Sequence, residues 1–516
     1  MKQFKFLLIT LIILVLPKIS SAADGTDKLI IFHTNDMHAR VMAEDDNGQS
    51  IGLAEMAAAV KAVKSNSNKV FWFDAGDTLH GMPRINISRG ENIIPLLNAA
   101  GIDALSPGNH DFNYGSAQLE ALSKKMLFPV LSSNIVDKNT GKRLFRAYRI
   151  YKLDSGVKIG VFGLTTPECA YKTNPANVTN VEFLNPIDTA REMVKKLRNR
   201  CDVVIAIMHM GVDESSEFTS TRIAREVPGI DLIVDGHSHT TLPEGLTVNN
   251  TLIVQTGWHE YKLGCVEIAL RDHKIISKKA ELLNADDVKK LAPIPDEKIA
   301  YALATMEERN EKLFNEVVAQ SDKYLTSERL ILRRGESEIG NLCADALRWR
   351  TGADIAIMNG GGMRSDLPEG DVTRGDIMAI FPFGNTIRVA EIDGKTIRAM
   401  LEHSVFGYPA SFGGFLDVSG MTFSFDPANP VGERVENIFI NGKPIDDNKI
   451  YTMAATDFAF SGGDDYDMLK NLKIVGEYDT CEGVLTDYLN KVGMSGIGLG
   501  RINVLREAEI DQREAA

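Results

Sequence analysis

Positive charge is in short supply in this chain: 57 Lys and Arg stand against 70 Asp and Glu, a formal net charge of −13. That balance excludes a non-specific binder of nucleic-acid polymer or of anionic membrane, both of which need a positive surface. A small anion held by a local arginine cluster remains compatible with it. Cysteine is scarce too. The five, Cys169, Cys201, Cys265, Cys343 and Cys481, are odd in number and carry no C-x-x-C spacing. This argues against a thiolate zinc site or a disulfide framework and reads as buried free thiols, with no pairing specified should the compartment be oxidising. Repeats and low-complexity tracts are missing, as are apolar runs beyond the N-terminus long enough to span a bilayer. What remains is an ordinary globular composition over 516 residues, enough for two or three domains.

The one apolar run, Phe6 to Leu16, follows Lys2 and Lys5 and precedes the small residues Ser20-Ser21-Ala22. That is the pattern of a secretory signal, and the run is too short to span a membrane comfortably. Residues 1–22 are expected to be a signal peptide and the mature protein to be soluble, periplasmic or secreted, with no stable membrane anchor.

From Lys28 to about Asp272 strand-like and helical runs alternate, the signature of a layered α/β domain. Glu55 to Lys64 and Ile93 to Ala100 have helical spacing, whereas Val70 to Phe73, Val203 to Met208 and Leu232 to Val234 read as apolar strands. Polar clusters follow the strands: Asp36 and His38 after Leu29 to Phe32, Asp77 after Val70 to Phe73, His209 after Val203 to Met208, and His237 and His239 after Leu232 to Val234. Open α/β sheets build their sites at the carboxyl ends of strands, so the placement is the one chemistry uses. If the first strand carried on through Asp36 and His38, these residues two apart would project the same way. With Asn109 and His110 added, this is a nitrogen and oxygen donor set without thiolate, suited to zinc, manganese or another divalent first-row metal. It is too large for one ion. A carboxylate such as Asp77 can bridge two ions roughly 3.5 to 4 Å apart, the arrangement that clamps both oxygens of a phosphoryl transfer. Residues 293–320 read as a charged linking helix, after which strand and helix patterns restart.

In this order, HTNDMH, GDT, GNHDF, HMG and DGHSH resemble the calcineurin-like metallophosphoesterase domain of the secreted 5'-nucleotidases, the family of the periplasmic UDP-sugar hydrolases and animal ecto-5'-nucleotidase. NGGGMR, PFGN and SGGDDY resemble that family's C-terminal substrate-binding domain, so the likeness covers essentially the whole mature chain. The resemblance implies a four-layer αββα metallophosphoesterase domain over 23–292, the linker helix, a C-terminal α/β nucleotide-binding domain over 321–507 and a polar tail over 508–516. It implies two divalent ions, zinc or manganese first. Asp36, His38 and His239 would hold one, Asp77 would bridge, and Asn109, His209 and His237 would hold the other.

His110 would stand by the phosphate as general acid or hydrogen-bond donor. Members commonly have Asn-His-Glu-Phe-Asp, whereas this chain has Asn109-His110-Asp111-Phe112-Asn113. The amide of Asn113 is therefore expected to accept the histidine's hydrogen bond without a charge. On the second domain, Arg329, Arg333 and Arg364 would grip the phosphate, Phe383 and Phe458 would sandwich the base, and Asp464 would accept from ribose hydroxyls. His33, His80, His259 and His403 are read as structural.

The activity implied is hydrolysis of a nucleoside 5'-monophosphate by in-line attack of a metal-bound water or hydroxide, with domain rotation during turnover. Two alternatives keep the site. Asn113-Tyr114-Gly115 also resembles the 2',3'-cyclic phosphodiesterase/3'-nucleotidase branch, and UDP-sugar cleavage is chemically close. A third, of another class, is a non-catalytic protein that captures nucleotides or metal. The base preferred and the oligomeric state are not specified by the sequence.

Overall fold

The computed structural model describes residues 26–506 apart from 44, 66, 68, 171, 174 and 215; the expected signal peptide and polar tail lie outside them. Two large sheets, with a small two-stranded one (Ile135–Asp137 with Val181–Phe183), form the first domain. One runs, in spatial order, through strands Lys274–Leu283, Leu263–Arg271, Thr26–Thr34, Val70–Asp74 and Ala104–Leu105. The other runs through Leu246–Val248, Thr251–Val254, Leu232–Val234, Val203–His209, Lys158–Thr165 and Tyr148–Lys152.

Side-chain alternation explains how the sheets stack. Along Val203–His209, Val203, Ile205 and Ile207 face the other sheet and meet Leu29, Ile31, Phe71 and Phe73. Val204, Ala206 and Met208 point the opposite way, onto Ile187, Met193 and Leu197 of helix Pro186–Arg198. Phe32 and Trp72 likewise face outward under helices Leu53–Lys64 and Ile93–Ala100. A strand buried on both faces must be apolar throughout, which is why these segments read as unbroken hydrophobic runs. The result is the expected αββα sandwich. Its central strands Thr26–Thr34 and Val70–Asp74 are parallel, as are Lys158–Thr165, Val203–His209 and Leu232–Val234. Within each sheet their carboxyl ends therefore share an edge.

The linking helix is Glu297–Phe314, capped by Asp296, whose carboxylate accepts from the backbone of Lys298 and Ile299 and receives Lys61 Nζ at 2.6 Å. Ile299 and Met306 bury into the first domain's core. Asp296→Ala is expected to destabilise the fold by about 1 kcal/mol, read as a lower urea midpoint with unchanged slope. Strand Val317–Ser321 follows and pairs with Gly370–Thr373.

The second domain centres on a five-stranded sheet in the order Leu416–Ser419, Ile355–Asn359, Ile450–Thr456, Thr386–Asp393 and Lys473–Thr480. Helices Glu338–Thr351 and Cys481–Lys491 cover one face and Gly394–Val405 the other. None of the described helices is long and apolar enough to cross a membrane. All five cysteines are free thiols.

Candidate metal centre and substrate cleft

The first strand does not carry through the D-x-H pair: it ends at Thr34. Asp36 and His38 instead take left-handed backbone conformations, φ 51° and 47°, and so do Asp77, His237 and His239. Side chains with a Cβ avoid this region, so five neighbouring instances mark a backbone held by its surroundings, as functional sites often are. The convergence expected from strand alternation is thus achieved by turns.

Buried hydrogen bonds hold those turns. Asp111, fully buried, accepts from four backbone N–H groups, those of Asp77, Thr78, Leu79 and Gly108, at 2.8 to 3.0 Å. It ties the GDT loop to the GNHDF loop. Asp235 accepts from the N–H of Met210 and Gly211 and from Ser220 Oγ. Gly108 lies so close to the ligands that a Cβ would collide with Asp77 Oδ1 and His209. Gly108→Ala is therefore expected to lower metal affinity by about 10-fold or more, as displaced supports do around metal sites, while the urea midpoint falls much less. Calorimetric metal titration checks this.

The donors converge. His38 Nε2 and His239 Nε2 are 3.2 Å apart, and His239 Nε2 is 3.4 Å from Asp36 Oδ1. His209 hydrogen-bonds through Nδ1 to the Ala75 carbonyl at 2.7 Å, which aims Nε2 at Asp77 Oδ2, 3.1 Å away, and Asp36 Oδ1, 3.8 Å away. His237 Nδ1 lies 2.9 Å from Asn109 Oδ1, and the His209 and His237 rings are 5.0 Å apart between centroids. Two ligand triplets stand out, Asp36 with His38 and His239, and Asp36 with Asp77 and His209. Asp36 thus faces both groups of donors. All seven expected ligands are brought together.

Charge in this pocket favours a cation. Burial alone would lower the pKa of His209, but the carboxylates of Asp77 and Asp36 outweigh it and raise it to about 10. Burial and the neighbouring His110 hold His38 well below its usual value, and burial with the Lys172 charge brings His237 to about 4. Those two imidazoles are neutral at pH 7 and have lone pairs to give. His209 Nε2 is buried without a well-formed hydrogen bond. Facing lone pairs, paired carboxylates and an unsatisfied nitrogen fit divalent ions.

His110 stands beside the donors, its ring 5.1 Å from that of His38, with its backbone N–H on Asp77 Oδ1 at 2.7 Å. The Asn113 expectation needs correction. Its amide nitrogen, not its oxygen, faces His110 Nδ1 at 3.1 Å, because the oxygen is taken by Thr173 Oγ1 at 2.8 Å. The amide therefore donates, which leaves the proton on His110 Nε2. His80 stacks 6.1 Å from His110 and also meets Asn113, and the His259 ring is 5.7 Å from that of His38, so these two histidines flank the site.

On the second domain burial, and after it the charges of Arg329 and Arg364, lower the Arg333 pKa while Asp464 opposes them, so these three groups lie within electrostatic reach of Arg333. Arg364 sits over the Phe383 ring at 6.0 Å, and Phe383 and Phe458 are exposed. Asp464, held by Asn359 Nδ2 at 2.8 Å, lines a small cavity with Phe458 and Tyr466. The side chain that this domain sets against His110 is a different one. Glu477 Oε2 lies 3.5 Å from His110 Nε2, while Arg388 Nε pairs with Glu477 Oε1 at 3.1 Å. Nearby, Asn86 of the first domain donates to Glu482 Oε1 at 3.3 Å.

A two-sheet sandwich carrying this donor cluster defines a metallophosphoesterase, and residues 29–241 match the calcineurin-like phosphoesterase family. Residues 317–471 match the 5'-nucleotidase C-terminal domain, and the chain belongs to the 5'-nucleotidase family. It is 30% identical over 496 residues to Protein UshA of Yersinia enterocolitica, covering 87% of this chain and 88% of that one. To a 5'-nucleotidase of Vibrio cholerae it is 28% identical over 487 residues, 86% of each. Among solved structures, a 5'-nucleotidase precursor from Thermus thermophilus is 29% identical with a TM-score of 0.55, over 93% of this chain and all of that one. The protein is a metal-dependent phosphoesterase.

Proposed function

We propose that this is an exported enzyme that uses two divalent ions, zinc or manganese, to hydrolyse nucleoside 5'-monophosphates to nucleoside and phosphate. The observation that carries the reading is the convergence of Asp36, His38, Asp77, His209 and His239, with Asn109 and His237 beside them, on one largely buried pocket that holds two carboxylates. Asp36, His38 and His239 would hold one ion, and Asn109, His209 and His237 the other, with Asp77 shared between them. When bound, the ions supply Lewis acidity that neutralises phosphoryl charge and lowers the pKa of water.

The chain's own groups do the rest. Arg329, Arg333 and Arg364 grip the phosphate, Phe383 and Phe458 stack on the base, and Asp464 accepts from ribose hydroxyls. A water oxygen bonds to phosphorus as the bond to the 5'-oxygen breaks in line. His110, bearing its proton on Nε2, donates to the phosphoryl group or to the leaving oxygen. The carboxylate of Glu477 now facing His110 is a poor neighbour for a phosphate, so the second domain turns to bring its arginines over the metals.

The test is phosphate release from AMP, UMP, 3'-AMP, 2',3'-cyclic AMP and UDP-glucose, with manganese, zinc or cobalt restored after chelation. Turnover favouring the 5'-monophosphates is expected. Preference for cyclic and 3'-substrates or for UDP-glucose would overturn the substrate assignment, and nucleotide binding without turnover would make this a capture protein. Phe458→Ala should raise KM for AMP by about 10-fold, from the 1 to 3 kcal/mol of one stacking contact, with a smaller effect on kcat.

A further inference from the structure

Beside the Asn109–His237 pair stands a charged couple that no motif announced. Glu168 follows strand Lys158–Thr165 on a short turn, Pro167–Ala170, and is buried. Its Oε2 lies 3.0 Å from His237 Nε2. Lys172 Nζ lies 2.9 Å from the same Oε2 and 3.3 Å from the same Nε2. The Lys172 carbonyl in turn accepts from Asn109 Nδ2 at 2.8 Å, so the couple is joined to both members of the pair.

A neutral imidazole has one N–H and one lone pair, and the hydrogen bond at one nitrogen decides what the other can do. A carboxylate only accepts and an ammonium only donates, so Glu168 and Lys172 make opposite demands on Nε2. Facing Glu168, Nε2 carries the proton and Nδ1 is a bare ligand, beside the Asn109 oxygen. Facing Lys172, Nε2 accepts, Nδ1 is protonated, and it donates to Asn109 Oδ1. Both ligand atoms would then be spent on each other.

We propose that Glu168 is a positioning residue for the second cation: by accepting the hydrogen bond of the His237 Nε2–H and holding the Lys172 ammonium, it keeps Nδ1 of His237 and Oδ1 of Asn109 free for the ion. The inference rests on the reading that these two residues bind metal. Carboxylate–histidine–metal relays of this kind raise ligand basicity and fix the ring, and losing the carboxylate commonly weakens the ion by about 10- to 100-fold.

The test is calorimetric titration of the chelated full chain with manganese. The parent is expected to bind two ions. Glu168→Gln should weaken one of them by about 10- to 100-fold and leave the other unchanged. Lys172→Met, which removes the competing donor and a like charge, should have the opposite sign and tighten the same ion. Adding Lys172→Met to Glu168→Gln should recover part of the loss. A residue that merely supports the fold would weaken both ions or lower the urea midpoint of the metal-free protein, without a rescue. Glu168→Gln binding both ions as the parent does, or Lys172→Met weakening the second ion, overturns the proposal. If Glu168→Gln fails to fold, the sign of the Lys172→Met effect decides alone. A parent that binds one ion or none refutes the two-metal reading instead, which separates the two failures.

Discussion

Asp77→Asn, chelated and reloaded with manganese, is expected to turn over AMP about a thousandfold more slowly than the parent. The Asp77 carboxylate is fully enclosed, with Oδ2 3.1 Å from His209 Nε2 and Oδ1 taking the His110 backbone N–H at 2.7 Å. Burial would raise its pKa, yet the charge of the neighbouring His209 holds it well below the ordinary carboxylate range, so it is anionic throughout the working range. An amide has the same shape, keeps the hydrogen bond from His110 and lacks the charge. Its substitution therefore isolates the electrostatic role of the bridge. Several kcal/mol of transition-state charge stabilisation rest on the metal pair, and about 4 kcal/mol corresponds to a thousandfold. Metal titration should show one strong site in place of two. Parental turnover in Asp77→Asn would mean that the bridge is not part of the chemistry.

The second large effect concerns the domains. Asn86 and Glu482 face each other across the interface at 3.3 Å, in the arrangement that sets Glu477 against His110. In a Cys265→Ser background, Asn86→Cys with Glu482→Cys joined by a short reducible linker holds that arrangement. Turnover is expected to fall to less than about a tenth and to return on reduction, because in the proposed mechanism rotation brings the arginines to the phosphate. Comparison before linking and after reduction separates the lock from the substitutions, which remove hydrogen bonds that Asn86 makes to Gly81. Undiminished turnover in the linked protein would refute domain rotation.

How much of this was legible in the sequence depended on distance along the chain. The αββα architecture could be read because each central buried strand is a continuous apolar run, as in Val203 to Met208, and most of the candidate ligands stand just beyond such a run. The strand ends offered the candidate donors, and their division into metal ligands came from the family resemblance. The conformations of Asp36, His38, Asp77, His237 and His239 were not legible, since Asp and His enter the left-handed region more often than most residues but still as a small minority. Asp111 stood within the GNHDF motif, but its four backbone hydrogen bonds belong to two loops that meet only in the fold. Glu168 and Lys172 sit in a polar turn with no distinguishing spacing. Their importance comes from His237, 69 and 65 positions away. Asn113 showed the same limit from the other side: its identity was plain, but Thr173 decides which end of the amide meets His110.

The proposed chemistry needs two ions acting together in this cleft. Its most direct measurement is the initial rate of phosphate release from AMP as manganese is titrated into chelated protein, with occupancy followed in parallel by calorimetry. The rate is predicted to track the fraction of protein carrying two ions and to stay near baseline for protein carrying one. A full rate at one equivalent, or turnover that persists in the chelated protein, would contradict it.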